Sequence, residues 1–452
     1  MSTIHAERAL TPDGWRQNVR LTLADGRIAS LDEGAPAPGD ERTAILLPAM
    51  PNLHSHAFQR AMAGLAEIRG PGVDTFWVWR ETMYRFALSM TPDDVQAVAA
   101  QLYVEMLEAG FGSVGEFHYL HHDTDGRPYA DVAAMASAIA AAGSETGIGL
   151  TLIPVLYAHS TFGGAAPNPG QRRFISDRDV FATLVEASES ALAPLDGSVL
   201  AIAAHSLRAV TPDELAFAAA LKPDAPMHIH AAEQVKEVDD CLAWSGQRPV
   251  EWLLDNAGLS SRWCLIHATH MTESETEGLA RSGAVAGLCP ITEASLGDGV
   301  FPAREFVDAG GSFGIGSDSN ILIGVADELR QLEYAQRLSR RSRNVLAEPG
   351  ASTGRALLTA ALVGGATALG RATPAIAAGA PADFVSLNAE HPALIGRTDD
   401  AILDSWIFGA SRPAVDSVWV RGRKLVSGGH HGRREAVFAK FRAAVEGLAA
   451  RA

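Results

Sequence analysis

The 452-residue chain carries 37 Lys+Arg against 53 Asp+Glu, a formal net charge of −16, with 47% hydrophobic and 20% charged residues. Those proportions argue against a disordered or fibrous chain, and the acidity argues against a nucleic-acid binder, which needs basic surface to displace phosphate counterions. An anionic ligand would have to be met by particular arginines, because the mean field repels it.

The N-terminal text, MSTIHAERALTPDGW, has no basic head, apolar core or small-residue cleavage site. The longest uncharged apolar run, 356–369, falls short of the ~20 residues of a membrane span. Cys241, Cys264 and Cys289 form an odd, sparse set without CxxC spacing, so no disulfide framework is expected and a reducing compartment fits. A soluble cytoplasmic protein without a membrane partner is the expectation.

Residues 1–47 read as short strands, with alternation over 19–23, a turn at Asp25-Gly26 and a Pro/Gly-rich turn at 34–40. Apolar strands are then expected at 44–50, 111–117, 148–156, 198–204, 226–230, 263–267, 284–288 and 312–316. Helical stretches alternate with them at 92–109, 131–143, 177–192, 212–221, 234–243 and 272–281. That alternation predicts an α/β fold, a (β/α)8 TIM-like barrel over 48–374. A further helical region at 325–371 precedes short β segments that resemble the N-terminal ones. A small β-sandwich domain formed by both termini, 1–47 with 375–452 and ending in a helix, is therefore expected. The segment GGAAPNPG (163–170) reads as a mobile loop.

Reactive groups of such a barrel lie at the carboxyl ends of its strands. The first strand ends in Asn52-Leu53-His54-Ser55-His56, and a period of two points both imidazoles the same way. HxH alone is weak evidence. It gains weight from His228-Ile229-His230-Ala231-Ala232-Glu233 after the fifth strand, His267 after the sixth and Asp318 after the eighth. Imidazoles with one carboxylate are zinc-type ligands, and a coordination position left to water makes the site catalytic.

HxH, HxxE, His and Asp in this strand order resemble the amidohydrolase superfamily over essentially the whole chain. The resemblance implies His54, His56, His230 and Asp318 as metal ligands, with Glu233, His267 and Asp318 handling protons and polarising the substrate. Members with two metals bridge them through a lysine after the fourth strand. Residues 203–210, AAHSLRAV, contain none, so a single ion is expected. Zinc is implied, one per subunit, with iron or manganese as alternatives. One such ion lowers the pKa of a bound water from 15.7 to as low as ~7.

The segments HSHAFQRAMAGLAE (54–67), FWVWRETMYR (76–85), GEFHYLHH (115–122) and HSLRAV (205–210) resemble the formimidoylglutamate deiminases. That resemblance implies hydrolysis of N-formimidoyl-L-glutamate to N-formyl-L-glutamate and ammonia in histidine breakdown. It implies Gln59, Arg80, Tyr119, His205 and Arg208 as substrate-binding residues, and a homodimer. A flexible small-molecule diacid calls for arginines, which meet carboxylates with paired hydrogen bonds. A nucleobase or nucleoside deaminase and a catalytically silent structural relative stay open as alternatives.

Blander roles are expected elsewhere. His228 reads as a core histidine, and His118, His121, His122, His159 and His270 as supporting or surface groups. His430 and His431 read as exposed, Trp77 and Trp79 as loop packing, and Cys289-Pro290 as packing. Arg80 could equally pair on a helix surface. Glu237, Asp239 and Asp240 read as a solvated helix face, and Asn320 has no assigned role.

Overall fold

The computed structural model describes residues 2–451 apart from 70, 71, 73 and 74. Its first four strands are β1 (Ser2–Thr11), β2 (Gly14–Ala24), β3 (Arg27–Glu33) and β4 (Glu41–Pro48). Asp25 and Gly26 both take positive φ (49° and 74°), the two-residue hairpin geometry that matches strand twist. At the other end lie β14 (Phe384–Leu387), β15 (Val415–Val420), β16 (Arg423–Ser427) and β17 (His430–His431). The two sets share one sheet in the order β17-β16-β15-β14-β4-β1-β2-β3, antiparallel except between β1 and β4. The edge at β3 returns to the start of β14, where Ile28 N–H donates to Ala380 O and Ala382 N–H to Gly26 O. The sheet so wraps a small core that includes Ile4, Leu21, Ile28, Phe384 and Trp419.

The barrel strands are β5 (Met50–Ser55), β6 (Phe111–His118), β7 (Gly149–Leu156), the short β8 (Val199–Leu200) and β9 (Ile202–Ser206). They continue as β10 (Met227–Ala231), β11 (Trp263–His267), β12 (Val285–Leu288) and β13 (Ser312–Ile315). All are parallel, in the order β13-β12-β11-β10-β9-β7-β6-β5, with β8 a spur on β7. A parallel bridge between Ser55 and Asp318 all but closes the cylinder. Its strands read as continuous apolar text because both faces are covered.

The apolar run 44–50, expected as the first barrel strand, divides instead. Through Pro48 it is β4 of the terminal sheet, and β5 begins at Met50. Ala49 N–H still bonds across to Asp383, while Met50 N–H bonds to Gly110 beside β6. Hydrophobicity cannot mark this change of sheet, since the chain is buried on both sides of it.

The intervening helices follow ordinary stop and start signals. Thr91, Thr211 and Thr272 each close a capping box at a helix start, before Pro92–Glu108, Pro212–Leu221 and Glu273–Ser282. An additional helix, α1 (Phe76–Ala87), covers the barrel mouth after β5. No helix among the described residues is long and apolar enough to cross a membrane.

Candidate metal centre and active site

His54 and His56 lie at and just past the end of β5, His230 near the end of β10, and Asp318 just past β13; all four are buried. Their ligand atoms converge as one group. His54 Nε2 is 3.2 Å from both His56 Nε2 and His230 Nε2. Asp318 Oδ1 is 3.5 Å from His54 Nε2 and 3.3 Å from His56 Nε2. His56 Nδ1 donates to Phe117 O (2.9 Å) and His230 Nδ1 to His205 O (3.0 Å), leaving both Nε2 lone pairs facing the centre.

Three imidazole lone pairs and a carboxylate oxygen cannot satisfy one another, so the cluster fits a cation. Tetrahedral ligation at roughly 2.0–2.1 Å would set neighbouring ligand atoms about 3.3 Å apart, in line with these separations. Burial depresses His54 to about 3 and also lowers His56 and His230, favouring the neutral imidazole that ligates metal. Burial alone would raise Asp318, but the neighbouring imidazoles of His54, His56 and His267 hold it below the usual range. His54 Nδ1 departs from the pattern in having no partner among the described residues.

The strand ends are held in left-handed backbone. Ala232, His267, Ala268, Asp318 and Asn320 take φ of 52°, 69°, 48°, 47° and 58°. Non-glycine residues adopt that region only when their surroundings impose it, at a cost of order 1–3 kcal/mol each. Around Asp318 the chain is braced by Asn320, to which the sequence assigned no role. Its Nδ2 donates to His56 O (3.0 Å), Asp318 O (2.9 Å) and Ser55 Oγ (3.2 Å). Ser317 Oγ donates to Asn320 Oδ1 and receives from Asn52 Nδ2, joining β5 to the chain after β13.

Glu233 and His267 meet beside the centre, with His267 Nε2 3.7 Å from Glu233 Oε1 and 3.8 Å from Asp318 Oδ2. Burial pushes Glu233 up to about 7 against the pull of His267 and Arg208. For His267 burial works the other way, yet Glu233, Glu293 and Asp318 raise it to about 10. Glu293 was not singled out in the sequence. Its Oε1 accepts from His267 Nδ1 (3.2 Å) and Cys289 N–H (2.8 Å), fixing which ring nitrogen faces the site. The Cys289 thiol itself is pushed well up by burial and nearby carboxylates, which fits packing.

Gln59, Arg80, Tyr119, His205 and Arg208 all line one cavity together with His56, His230, Glu233, His267 and Asp318. Gln59 Nε2 donates to the Tyr119 hydroxyl at 3.1 Å. The His205 ring lies 4.9 Å from His230 and 4.5 Å from Tyr157. Arg208 is buried, and its Nε has no hydrogen-bond partner among the described residues. Neither Arg208 nor Arg80 forms an ion pair with any described carboxylate.

Several expectations need correction. Glu237 does not sit on a solvated face: it is buried and accepts from the Glu233 N–H at 3.1 Å, so it braces that loop. His431 is buried too, bonding to Thr146 O at 2.9 Å, while its neighbour His430 is exposed. Trp77 and Trp79 lie on α1, where Trp79 lines the cavity. His228, by contrast, is the core histidine it was expected to be, bonded to Ala368 O at 2.8 Å.

A near-closed parallel barrel with a His3Asp centre at its carboxyl end defines a metal-dependent hydrolase. The chain belongs to the amidohydrolase family, whose profile matches residues 45–425, and residues 1–44 match the N-terminal domain of formimidoylglutamate deiminase HutF. It is 51% identical to the formimidoylglutamate deiminase of Pseudomonas aeruginosa over 96% of this chain and 97% of that one. The 5-methylthioadenosine/S-adenosylhomocysteine deaminase of Natronomonas pharaonis is 30% identical over 82% of this chain and 78% of its own. An amidohydrolase from Brucella melitensis superposes with a TM-score of 0.96 at 59% identity, covering 99% of this chain and 100% of that one. A zinc-bound adenosine deaminase from Xanthomonas campestris, at 21% identity, shares the fold (TM-score 0.84, covering 99% and 98%).

Proposed function

We propose that this chain hydrolyses N-formimidoyl-L-glutamate to N-formyl-L-glutamate and ammonia. The observation that carries the reading is a buried guanidinium, Arg208, that makes no ion pair and leaves its Nε without a hydrogen-bond partner among the described residues, in the same cavity as the His3Asp centre. A buried cation of that kind calls for an anionic ligand, and a bidentate carboxylate suits its geometry.

His54, His56, His230 and Asp318 would hold one divalent ion, zinc on this reading, whose chemistry there is to make water nucleophilic at neutral pH. Arg208 receives one substrate carboxylate and Arg80 the second, while Gln59, Tyr119 and His205 fit around the carbon chain. As the C–O bond forms at the formimino carbon, Asp318 Oδ2 takes a proton from the attacking water. His267 Nε2 steadies the tetrahedral carbon's oxygen. Glu233, poised near neutrality, gives its proton to the imino nitrogen as the C=N bond opens; the proton held by Asp318 then passes to the same nitrogen, the new hydroxyl returns its proton to Glu233, and the C–N bond breaks to release ammonia. The same reading carries a homodimer working in the cytoplasm; light scattering on purified protein tests the first of these.

Ammonia and formylglutamate release are to be followed together, with nucleosides and nucleobases run in parallel. Turnover of formimidoylglutamate is expected, and turnover confined to the ring compounds contradicts the reading. In Arg208→Met, metal content should hold while kcat/KM falls at least about tenfold, given roughly 1.5–3 kcal/mol per charge-assisted hydrogen bond. Unchanged kinetics would take Arg208 out of the pocket.

A further inference from the structure

Trp77 lies on α1 one turn before Arg80, and Tyr84 follows on the same helix face. The Arg80 guanidinium carbon stands 4.5 Å from the Trp77 ring centre and 5.5 Å from that of Tyr84. Arg208 also brings its guanidinium carbon to 5.6 Å from the centre of the same indole. Lys236 adds its ammonium at 5.9 Å, from the helix that follows β10. Arg80 and Arg208 line the cavity, whereas Trp77 does not. On a chain with a net charge of −16, three cations thus gather on one ring, and the two arginines have no carboxylate partner among the described residues.

Like charges gathered at one spot repel unless something between them attracts both. An indole face does so without neutralising either guanidinium, because its quadrupole is negative while it carries no charge. A carboxylate in the same place would pair with the arginines and use up their hydrogen-bond donors. We infer that Trp77 is a positioning residue that fixes the spacing of Arg80 and Arg208, and through it the selection of ligands bearing two carboxylates. This inference rests on the diacid reading given above. It also accounts for an aromatic residue on α1 that does not itself touch the cavity.

The test compares Trp77→Leu, which keeps apolar bulk, with Trp77→Phe, which keeps an aromatic face. Substrates are N-formimidoyl-L-glutamate and two analogues, each lacking one of its carboxylates. Trp77→Leu should raise KM for the diacid about tenfold or more with kcat within threefold, consistent with losing two cation–π contacts. The penalty should be smaller for each monoacid, which engages one arginine, and Trp77→Phe should recover most of the loss. Equal penalties on all three substrates, a fall in kcat alone, or no change in Trp77→Leu would overturn the inference.

Calorimetry with N-acetyl-L-glutamate, a diacid without the scissile group, separates this inference from the reaction assignment. A parent protein that binds this diacid more tightly than Trp77→Leu, yet releases no ammonia from formimidoylglutamate, would keep the Trp77 role and overturn the reaction. Equal diacid binding by the two proteins would overturn the Trp77 role whatever the turnover.

Discussion

Glu116, on β6, is a carboxyl group buried behind the first barrel strand, where Ala57 N–H (2.6 Å) and the Tyr103 hydroxyl (3.2 Å) donate to it. Burial pushes its pKa up to about 8 from an ordinary 4.5, so the folded chain keeps a proton there that the unfolded chain releases. The stability contribution is therefore fully present below the unfolded value and is lost as pH rises toward about 8. Its local slope reaches at most about 1.4 kcal/mol per pH unit. Glu116→Gln cannot ionise, so its stability relative to the parent should rise between pH 5 and 8 in urea melts. A pH-independent difference would mean that Glu116 is already charged in the fold. At this scale the convergence of His54, His56, His230 and Asp318, with Glu233 and His267 beside them, was legible, because strand periodicity and strand-end position point these side chains to one place. Asn320, Glu293 and Glu237 were not. Asn320 meets Ser55 from 265 positions away, and Glu293 meets His267 from 26, separations at which local pattern carries no signal.

The helix Thr353–Ala368 lies against β13 by way of its glycines. A Cβ at Gly364 would collide with the Phe313 carbonyl, so backbone meets backbone without a side chain between. Gly409 ends another helix and has open space around its missing Cβ. Ala is the better helix former by ~1 kcal/mol, yet Gly364→Ala should cost about 1–3 kcal/mol through overpacking. Gly409→Ala should be neutral or slightly stabilising. Denaturant melts of the two variants check this, and equal effects would contradict the packing argument. The apolar run ALLTAALVGGATAL, inside the helical region expected over 325–371, did not say what its glycines face. The 44–50 run likewise announced burial but not which sheet it joined. Composition reports how deeply an element lies, whereas its partner is fixed by chain that arrives much later.

Closure of the cylinder and the side-chain cluster at its mouth share the same residues. His56 N–H donates to Asp318 O and Asp318 N–H to His54 O, each at 3.0 Å, so the last bonds of the barrel run between residues of the proposed ligand set. Two of the proposed ligands come from the strand at one end of the sheet order, and a third follows the strand at the other. The eight-strand alternation made the barrel legible, and the motif order made the centre legible. The wrap of both termini into one sheet showed only as a likeness between short strands at the two ends.

The account depends on one ion held where those strand ends meet. Exhaustively chelated protein should release no ammonia from N-formimidoyl-L-glutamate and should recover on titration with divalent metal, reaching its plateau at one equivalent per chain. Full turnover by protein shown to contain no metal, or a plateau reached only at two equivalents, would contradict it.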